Sequence, residues 1–253
     1  MTTQPILTVR RAAVALAGGA LAASSLIAGV PATAAAPSCS TPAAILGTTI
    51  TPARIVLGTS VPKGITITTR VRTSGCRIDS VEAGLYGPNF VDTYELDAVG
   101  TSNGVTTYQT GLRIGPGSLP NSEAGRWQSY ISVWGQSTPN APGPNFTVVR
   151  AARLTTNASP EPVRKGRTIT VTGQLQRADW QSLRYRGYGK RQVQLQWRSG
   201  HGSYRRVSTT TSAADGSVRI RVSAKRDGCY RFVFAGSSTT HAVTSRGDCV
   251  DVR

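Results

Sequence analysis

The sequence is poor in the residues that most often carry catalysis and metal binding. Its 253 residues include only 12 acidic side chains and 2 histidines. No H-E-x-x-H motif and no C-x-x-C pair occurs, and these are the spacings of zinc proteases and structural zinc sites. His201 lies in the glycine-rich stretch SGHGS, 40 residues before His241. We therefore expect no enzymatic activity, no cofactor and no bound metal. A Ser/His/Asp site assembled from distant residues is the alternative.

Long apolar runs are also lacking after the first 34 residues. The chain begins with a positive segment ending in Arg10 and Arg11, then residues 12–30 carry no charge. The small-residue site from Ala32 to Ala34 predicts a signal peptide, residues 1–34, cleaved after Ala34; an uncleaved anchor is the alternative. We expect an extracellular protein of 253 − 34 = 219 residues, with no membrane span in the mature chain, either released or held at the cell wall by non-covalent contacts.

Four cysteines remain after this cleavage site. An even number in an exported chain predicts two disulfides. Of the three possible pairings, the spacing favours Cys39–Cys76 and Cys229–Cys249. Side-chain alternation on the last two strands predicts that Cys229 lies opposite Cys249, in a hairpin that would also pair Ala235 with Val243.

Charge of one sign dominates the second half of the chain. Residues 37–150 carry 8 Lys/Arg and 6 Asp/Glu, a net charge of +2, whereas residues 151–253 carry 19 and 6, a net charge of +13. Such a field concentrates polyanions near the protein. The alternative is that the charge serves only solubility.

Two sequence echoes predict a tandem repeat of about 100 residues. VPKGITIT (61–68) and VRKGRTIT (163–170) agree at six of eight positions. AGRWQSYISVWG, from Ala124, resembles DGCYRFVFAG, from Asp227. The repeat predicts two domains, residues 37–150 and 151–253.

Each unit has the pattern of an antiparallel β-sheet with one wet face. RQVQLQW alternates glutamines with apolar residues, and SVRIRV alternates arginines with them. The predicted inward side chains of the second unit are Ile169, Val171, Leu175, Val193, Leu195, Trp197, Val218, Ile220, Val222, Tyr230, Phe232, Phe234, Val250 and Val252. We therefore predict an all-β protein of two tandem immunoglobulin-like antiparallel β-sandwiches, each of about seven strands.

The segments PVRKGRTITVTGQL, VQLQWR and DGCYRFVFAG resemble bacterial Ig-like β-sandwich domains of secreted actinobacterial proteins. The resemblance covers residues 151–253, and covers 37–150 weakly. It implies an accessory module in adhesion, cell-wall association or carbohydrate contact. Some proteins of this kind bind calcium, although no calcium loop maps onto residues of this chain.

The connection RADWQSLRYRGYGKR, residues 177–191, is long for a sandwich, and long loops on rigid scaffolds often carry function. We predict that it binds an anionic extracellular polymer: cell-wall polyphosphate, acidic polysaccharide or DNA. The alternatives are a structural or adhesive module with a protein partner, and a calcium-binding secreted protein. The candidate ligand-binding residues are Arg177, Trp180, Arg184, Tyr185, Arg186, Tyr188, Lys190 and Arg191.

Overall fold

Two central strands of the first half, β3 (Lys63–Arg72) and β8 (Gly125–Gly135), bury alternate side chains, which is the pattern of two sheets that face each other across a core. Along β3, Ile65, Ile67 and Val71 are buried and the alternate positions are half-buried or exposed. The structure, a computed structural model, describes residue 39 and residues 41–253; the predicted signal peptide and its cleavage site lie outside this range. The other strands of this first sandwich are β1 (Ala44–Thr51), β2 (Arg54–Leu57), β4 (Ile78–Tyr86), β5 (Val91–Glu95), β6 (Asp97–Ser102), β7 (Val105–Ile114), β9 (Asn140–Pro142) and β10 (Phe146–Arg150).

These strands pair into two sheets. One has the order β1-β3-β7-β6, and the other has the order β2-β10-β8-β4-β5, with β9 beside β8. All pairs are antiparallel except β2, which runs parallel to β10. A short 3-10 helix, Asn121–Glu123, precedes β8.

The second half repeats this arrangement. Its strands are β11 (Ala152–Leu154), β12 (Asn157–Ser159), β13 (Thr168–Asp179), β14 (Arg184–Gly187), β15 (Gln192–Arg198), β16 (Arg205–Thr211), β17 (Ser217–Ser223), β18 (Gly228–Phe234), β19 (Val243–Thr244) and β20 (Asp248–Val250). In one sheet β13 pairs with β11, β12, β14 and β17, and the other sheet has the order β16-β15-β18-β19, with β20 beside β18.

The two sequence echoes occupy equivalent strands. β3 lies between β1, the opening strand of its sandwich, and β7. β13 likewise lies between β12, one of the two segments of its own opening strand, and β17. β8 lies between β4 and the closing strand β10. β18 likewise lies between β15 and a closing strand made of two segments, β19 and β20. Two tandem immunoglobulin-like sandwiches are thereby confirmed. Ten strand segments per sandwich replace the expected seven or so; in the second, the opening and closing strands are each broken in two and β14 is additional.

The core of the second sandwich follows the predicted alternation. Ile169, Val171, Leu175, Val193, Leu195 and Phe232 are fully buried. Val222 and Trp197 are only half-buried, so the expectation that Trp197 is core is only partly met. The reason is position: β17 is an edge strand, and Trp197 is the second-last residue of β15.

Both predicted disulfides are formed. Cys229 lies directly opposite Cys249, as expected. The predicted pairing of Ala235 with Val243 is wrong, because Val243 pairs with Phe234. The closing strand is interrupted between Thr244 and Asp248, and this irregularity shifts the register by one residue. Two disulfides are typical of extracellular proteins.

A single residue joins the two sandwiches, since β10 ends at Arg150 and β11 begins at Ala152. The backbone amide of Arg150 donates to the Thr239 carbonyl (3.0 Å), and that of Ala151 donates to the Leu57 carbonyl (3.0 Å). The linking chain is therefore hydrogen-bonded to both sandwiches, and residues 41–253 belong to one compact unit.

Candidate functional site

The predicted polyanion-binding segment, residues 177–191, is a β-hairpin rather than a loop. β13 continues to Asp179 and β14 returns from Arg184, with Arg177 paired to Arg186 and Asp179 to Arg184. Leu183, with φ 54°, takes a left-handed conformation in the turn. Asp179 caps this turn, because one carboxylate oxygen accepts from the amides of Gln181 (3.1 Å) and Ser182 (3.0 Å).

Trp180 does not offer a stacking surface to a ligand, contrary to its predicted role. Its side chain is fully buried in the core of the first sandwich. The indole N–H donates to the Leu57 carbonyl at 3.1 Å, and the backbone amide donates to Asn121 Oδ1 at 2.9 Å. The physical reason is the alternation of β13, which turns Ala178 and then Trp180 toward the first sandwich.

Tyr188 is also unavailable for stacking on a ligand. It is 4% exposed and packs edge-on against Phe234, with ring centroids 5.7 Å apart. The guanidinium groups of Arg177 and Arg191 lie 4.2 Å and 4.6 Å from its ring centroid. Burial raises the pKa of the phenol, but hydrogen bonding to Thr240 and Ser237 and the two nearby guanidinium groups lower it, and the net shift is downward.

Tyr185 is half-buried and packs against the core of the first sandwich. The guanidinium of Arg153 lies 3.7 Å from its ring centroid. All three predicted aromatic contacts are therefore engaged within the protein, and the hairpin presents charge rather than aromatic faces to solvent. The predicted cations do lie at the surface: Arg184, Arg186, Lys190 and Arg191 are exposed, and Arg177 is half-buried.

The arginines of the second sandwich stack on aromatic rings. Six Arg–aromatic contacts occur among the described residues, and every arginine in them belongs to residues 151–253. Arg198 and Arg231 both lie over Tyr204, at 4.8 Å and 3.8 Å. Stacking holds a guanidinium in place while its N–H edge stays available to an anion.

Four of the six acids of the second sandwich, Asp179 among them, accept hydrogen bonds from backbone amides rather than pairing with these arginines. Asp215 accepts from Ser217 N (2.9 Å), Asp227 from Val252 N (2.7 Å), and Asp248 from Ala158 N (2.6 Å). In the part of the chain that the structure describes, the ion pairs are Arg77–Asp79 and Arg253–Asp251, both exposed. Almost all of the positive charge therefore has no carboxylate partner within the protein.

Arg150 was missed by the sequence analysis. It is 6% exposed and its Nε donates to the Ala178 carbonyl at 2.5 Å. Burial, and then the nearby charge of Arg177, lower its pKa to about 10. No periodicity identifies it, because the last residue of β10 becomes buried only where the second sandwich covers it.

The stretch GTSNG, Gly100–Gly104, has the letters of the G-x-S-x-G nucleophile motif. That motif needs a strand-to-helix elbow, whereas here it spans the end of β6 and the turn into β7. Both histidines, His201 and His241, belong to the second half and are exposed. Within the described residues, no group of three or more His, Cys, Asp or Glu side chains is placed to hold a metal ion, and no helix is long and apolar enough to span a bilayer.

Neither a protein-family model nor a curated protein sequence matches the chain. Solved structures that match the chain include latent PorU from Porphyromonas gingivalis, with 15% identity, 84% of this chain and 20% of that chain covered, and a TM-score of 0.31. A 1.5-MDa bacterial ice-binding adhesin gives 15% identity, 84% and 66% coverage and a TM-score of 0.32. The D0-D1 domain of intimin is 11% identical, with 82% of this chain and 98% of that chain covered and a TM-score of 0.29. The Ig-like assignment itself rests on the sheet order and register described above.

Proposed function

We propose that this is an extracellular, non-enzymatic protein whose second sandwich binds a polymer with repeating negative charge. The observation that carries the proposal is the mismatch between charge and pairing in residues 151–253. Nineteen cations face six acids, and Arg253–Asp251 is the ion pair found there among the described residues. Cations without internal partners are free to contact an external anion, and they increase its rate of association.

The β13–β14 hairpin and the turn after it supply one contact surface. Arg184, Arg186, Lys190 and Arg191 are exposed here, and Arg177 and Arg191 are held by the ring of Tyr188. A pre-positioned guanidinium loses less side-chain entropy when it binds phosphate or carboxylate. The contact is ionic rather than aromatic, because the rings of this hairpin are engaged inside the protein.

The experiment is salt-dependent retention of the whole mature chain on heparin, phosphocellulose and immobilised DNA. The whole chain is needed because Trp180 belongs to the core of the first sandwich. We expect elution well above physiological salt and a steep fall of the binding constant with salt, about 0.7–0.9 in log–log slope for each phosphate contact on nucleic acid. Elution from all three columns no later than a neutral control protein would contradict the proposal.

A matched pair of variants tests the hairpin surface. In the first, Arg184, Arg186, Lys190 and Arg191 are all changed to Gln. In the control, four exposed cations of the first sandwich are changed to Gln: Arg54, Arg70, Arg72 and Arg113. Both variants lose four charges, so equal losses of retention would mean that only net charge matters. We expect the hairpin variant to lose distinctly more. Unchanged association of the hairpin variant with purified cell wall would favour a protein partner instead.

A further inference from the structure

The second sandwich is open along one side, between β16 and β17. Both are edge strands, since β16 pairs only with β15 and β17 only with β13. A β-bulge opposite Leu195 and Gln196 leaves Val207 unpaired and 47% exposed. Val222, which faces inward, is only half-buried. The apolar interior therefore reaches solvent along this side.

A cavity of about 470 Å³ occupies the opening. Its size lies within the range of roughly 300–1,000 Å³ that is usual for small-ligand sites. Its lining divides into an apolar part and a polar rim. The apolar part is formed by Trp197, Val207, Val222 and Tyr230, and the rim by Ser223, Lys225 and Arg226.

The rim of the cavity carries two cations. Neither Lys225 nor Arg226 forms an ion pair with any residue that the structure describes. The guanidinium of Arg226 lies 4.7 Å from the Trp197 ring centroid, which orients it beside the cavity. The cavity thus combines an apolar floor with two cations that have no carboxylate partner among the described residues.

We infer that this cavity binds one acidic sugar residue of the anionic polymer, with its carboxylate on Arg226 and Lys225 and its C–H face on Val207 and Val222. This inference rests on the proposed function. A polyphosphate has no apolar face to cover the valines. A nucleobase binds best on a free aromatic face, and here the Trp197 face is covered by Arg226 while Tyr230 is 5% exposed.

The cavity and the hairpin surface lie toward opposite ends of β15. Arg191 and Trp197 are six residues apart, which corresponds to about 20 Å along a strand at roughly 3.3 Å per residue. A long polymer can contact both, whereas a short oligosaccharide in the cavity leaves the hairpin unused. Oligomer length therefore separates the two sites experimentally.

The test is calorimetric titration of the mature protein with trigalacturonate, and in parallel with maltotriose, tripolyphosphate and a trinucleotide. We expect trigalacturonate to bind more tightly than the other three. Changing Lys225 and Arg226 together to Gln removes two charge-assisted contacts and should weaken binding by at least about tenfold. The control that changes Arg70 and Arg72, two exposed residues of the first sandwich, to Gln loses the same charge and should change affinity less than about twofold.

A second variant tests the cavity without touching its cations. Val207→Glu places a carboxylate on the floor at an exposed site, so the fold should tolerate it, and Val99→Glu is the control at a residue of the first sandwich that is 58% exposed. Trigalacturonate binding should be lost in the first variant and kept in the second. The indole N–H resonance of Trp197 should shift on titration in the wild type.

Failure of the cavity and failure of the proposed function give different results. If the wild type is retained on polyanion columns but does not bind trigalacturonate, the cavity inference is wrong and the proposed function stands. Equal binding of tripolyphosphate or the trinucleotide overturns the sugar assignment. If the wild type is not retained on any polyanion, the proposed function is wrong.

Discussion

The two sandwiches share the order of their central strands but differ in the charge of their surfaces. The first carries 8 cations and 6 acids over residues 37–150, and the second carries 19 and 6 over residues 151–253. In the described part of the chain, the arginines that stack on rings all belong to the second. Because β3 and β13 still occupy equivalent positions, the inward side chains determine the fold, and the outward side chains are free to diverge.

A second difference is where the side chains of each half are buried. The core of the first sandwich contains Ala178 and Trp180, which belong in sequence to the second. Among the residues that the structure describes, none before Ala152 contributes to the core of the second. The hairpin that presents the basic surface thus also completes the core of the neighbouring sandwich, so surface and stability are coupled in this segment.

The largest effect on this difference between the two sandwiches is expected from Trp180→Ala. The side chain is fully buried and donates to the Leu57 carbonyl, so we expect a loss of about 3–5 kcal/mol in the free energy of unfolding. Urea denaturation measures the loss. Hydrogen exchange should show that amides of the first sandwich lose protection, although the substitution lies in the second half of the sequence.

Trp134→Ala is the matched control for that substitution. Trp134 is 51% exposed, and its indole N–H donates to Glu82 at 3.2 Å. Its removal should cost less than about 1 kcal/mol. Equal effects of the two substitutions would show that Trp180 does not belong to the first core.

The next largest effect is expected from removing the disulfide of the second sandwich. Changing Cys229 and Cys249 together to Ser opens a link between residues 20 apart in sequence, which the chain-entropy model values at about 3 kcal/mol. Denaturation of the oxidised protein and the double variant measures the difference. The loss of protection should be largest around β18 and β20; uniform loss across both sandwiches would mean that they unfold as one cooperative unit.

A smaller effect is expected from Asp179, which ties the hairpin to the first sandwich through Asn121 (3.1 Å). Hydrogen bonds from the Ser182 amide and from Asn121 lower its pKa from 3.8 to about 2. A lowered folded-state pKa means that the ionised group stabilises the fold above about pH 4, and that this contribution is lost as the pH falls toward 2. Asp179→Asn should therefore flatten the fall of Tm between pH 4 and pH 2.

Asp97→Asn, at an exposed aspartate of β6, is the control for the pH experiment. It should leave the acid dependence of Tm close to that of the wild type. If Asp179→Asn leaves it equally unchanged, the hydrogen bonds at the hairpin turn do not contribute to stability.

Alternation predicted the second core well because each strand has one buried face. Ile169, Val171 and Leu195 are at zero exposure, as their spacing requires. The same rule misplaced Ala235 by one residue, since a break in a strand changes register without leaving a signal in the hydrophobic pattern. The hairpin within residues 177–191 was not predicted for a related reason: its tyrosines and arginines alternate too weakly to indicate two strands.

Two features of the candidate site depend on contacts that a single strand cannot reveal. Trp180 and Tyr188 are residue types that often stack on ligands, yet neighbouring elements bury both. Arg150 becomes buried only where the second sandwich covers the end of β10. The cavity between β16 and β17 exists because two edge strands fail to close the sandwich, and edges are set by pairing rather than by local sequence.

The sequence by itself determined the two-sandwich architecture, the disulfide pairing and the excess of positive charge in the second half, because alternation, cysteine spacing and charge are local properties of the chain. Only the tertiary structure decided which aromatic rings remain free and which cations have partners. Those outcomes depend on contacts between residues up to 123 positions apart, as between Trp180 and Leu57. They also depend on carboxylates that accept from backbone amides rather than from arginines.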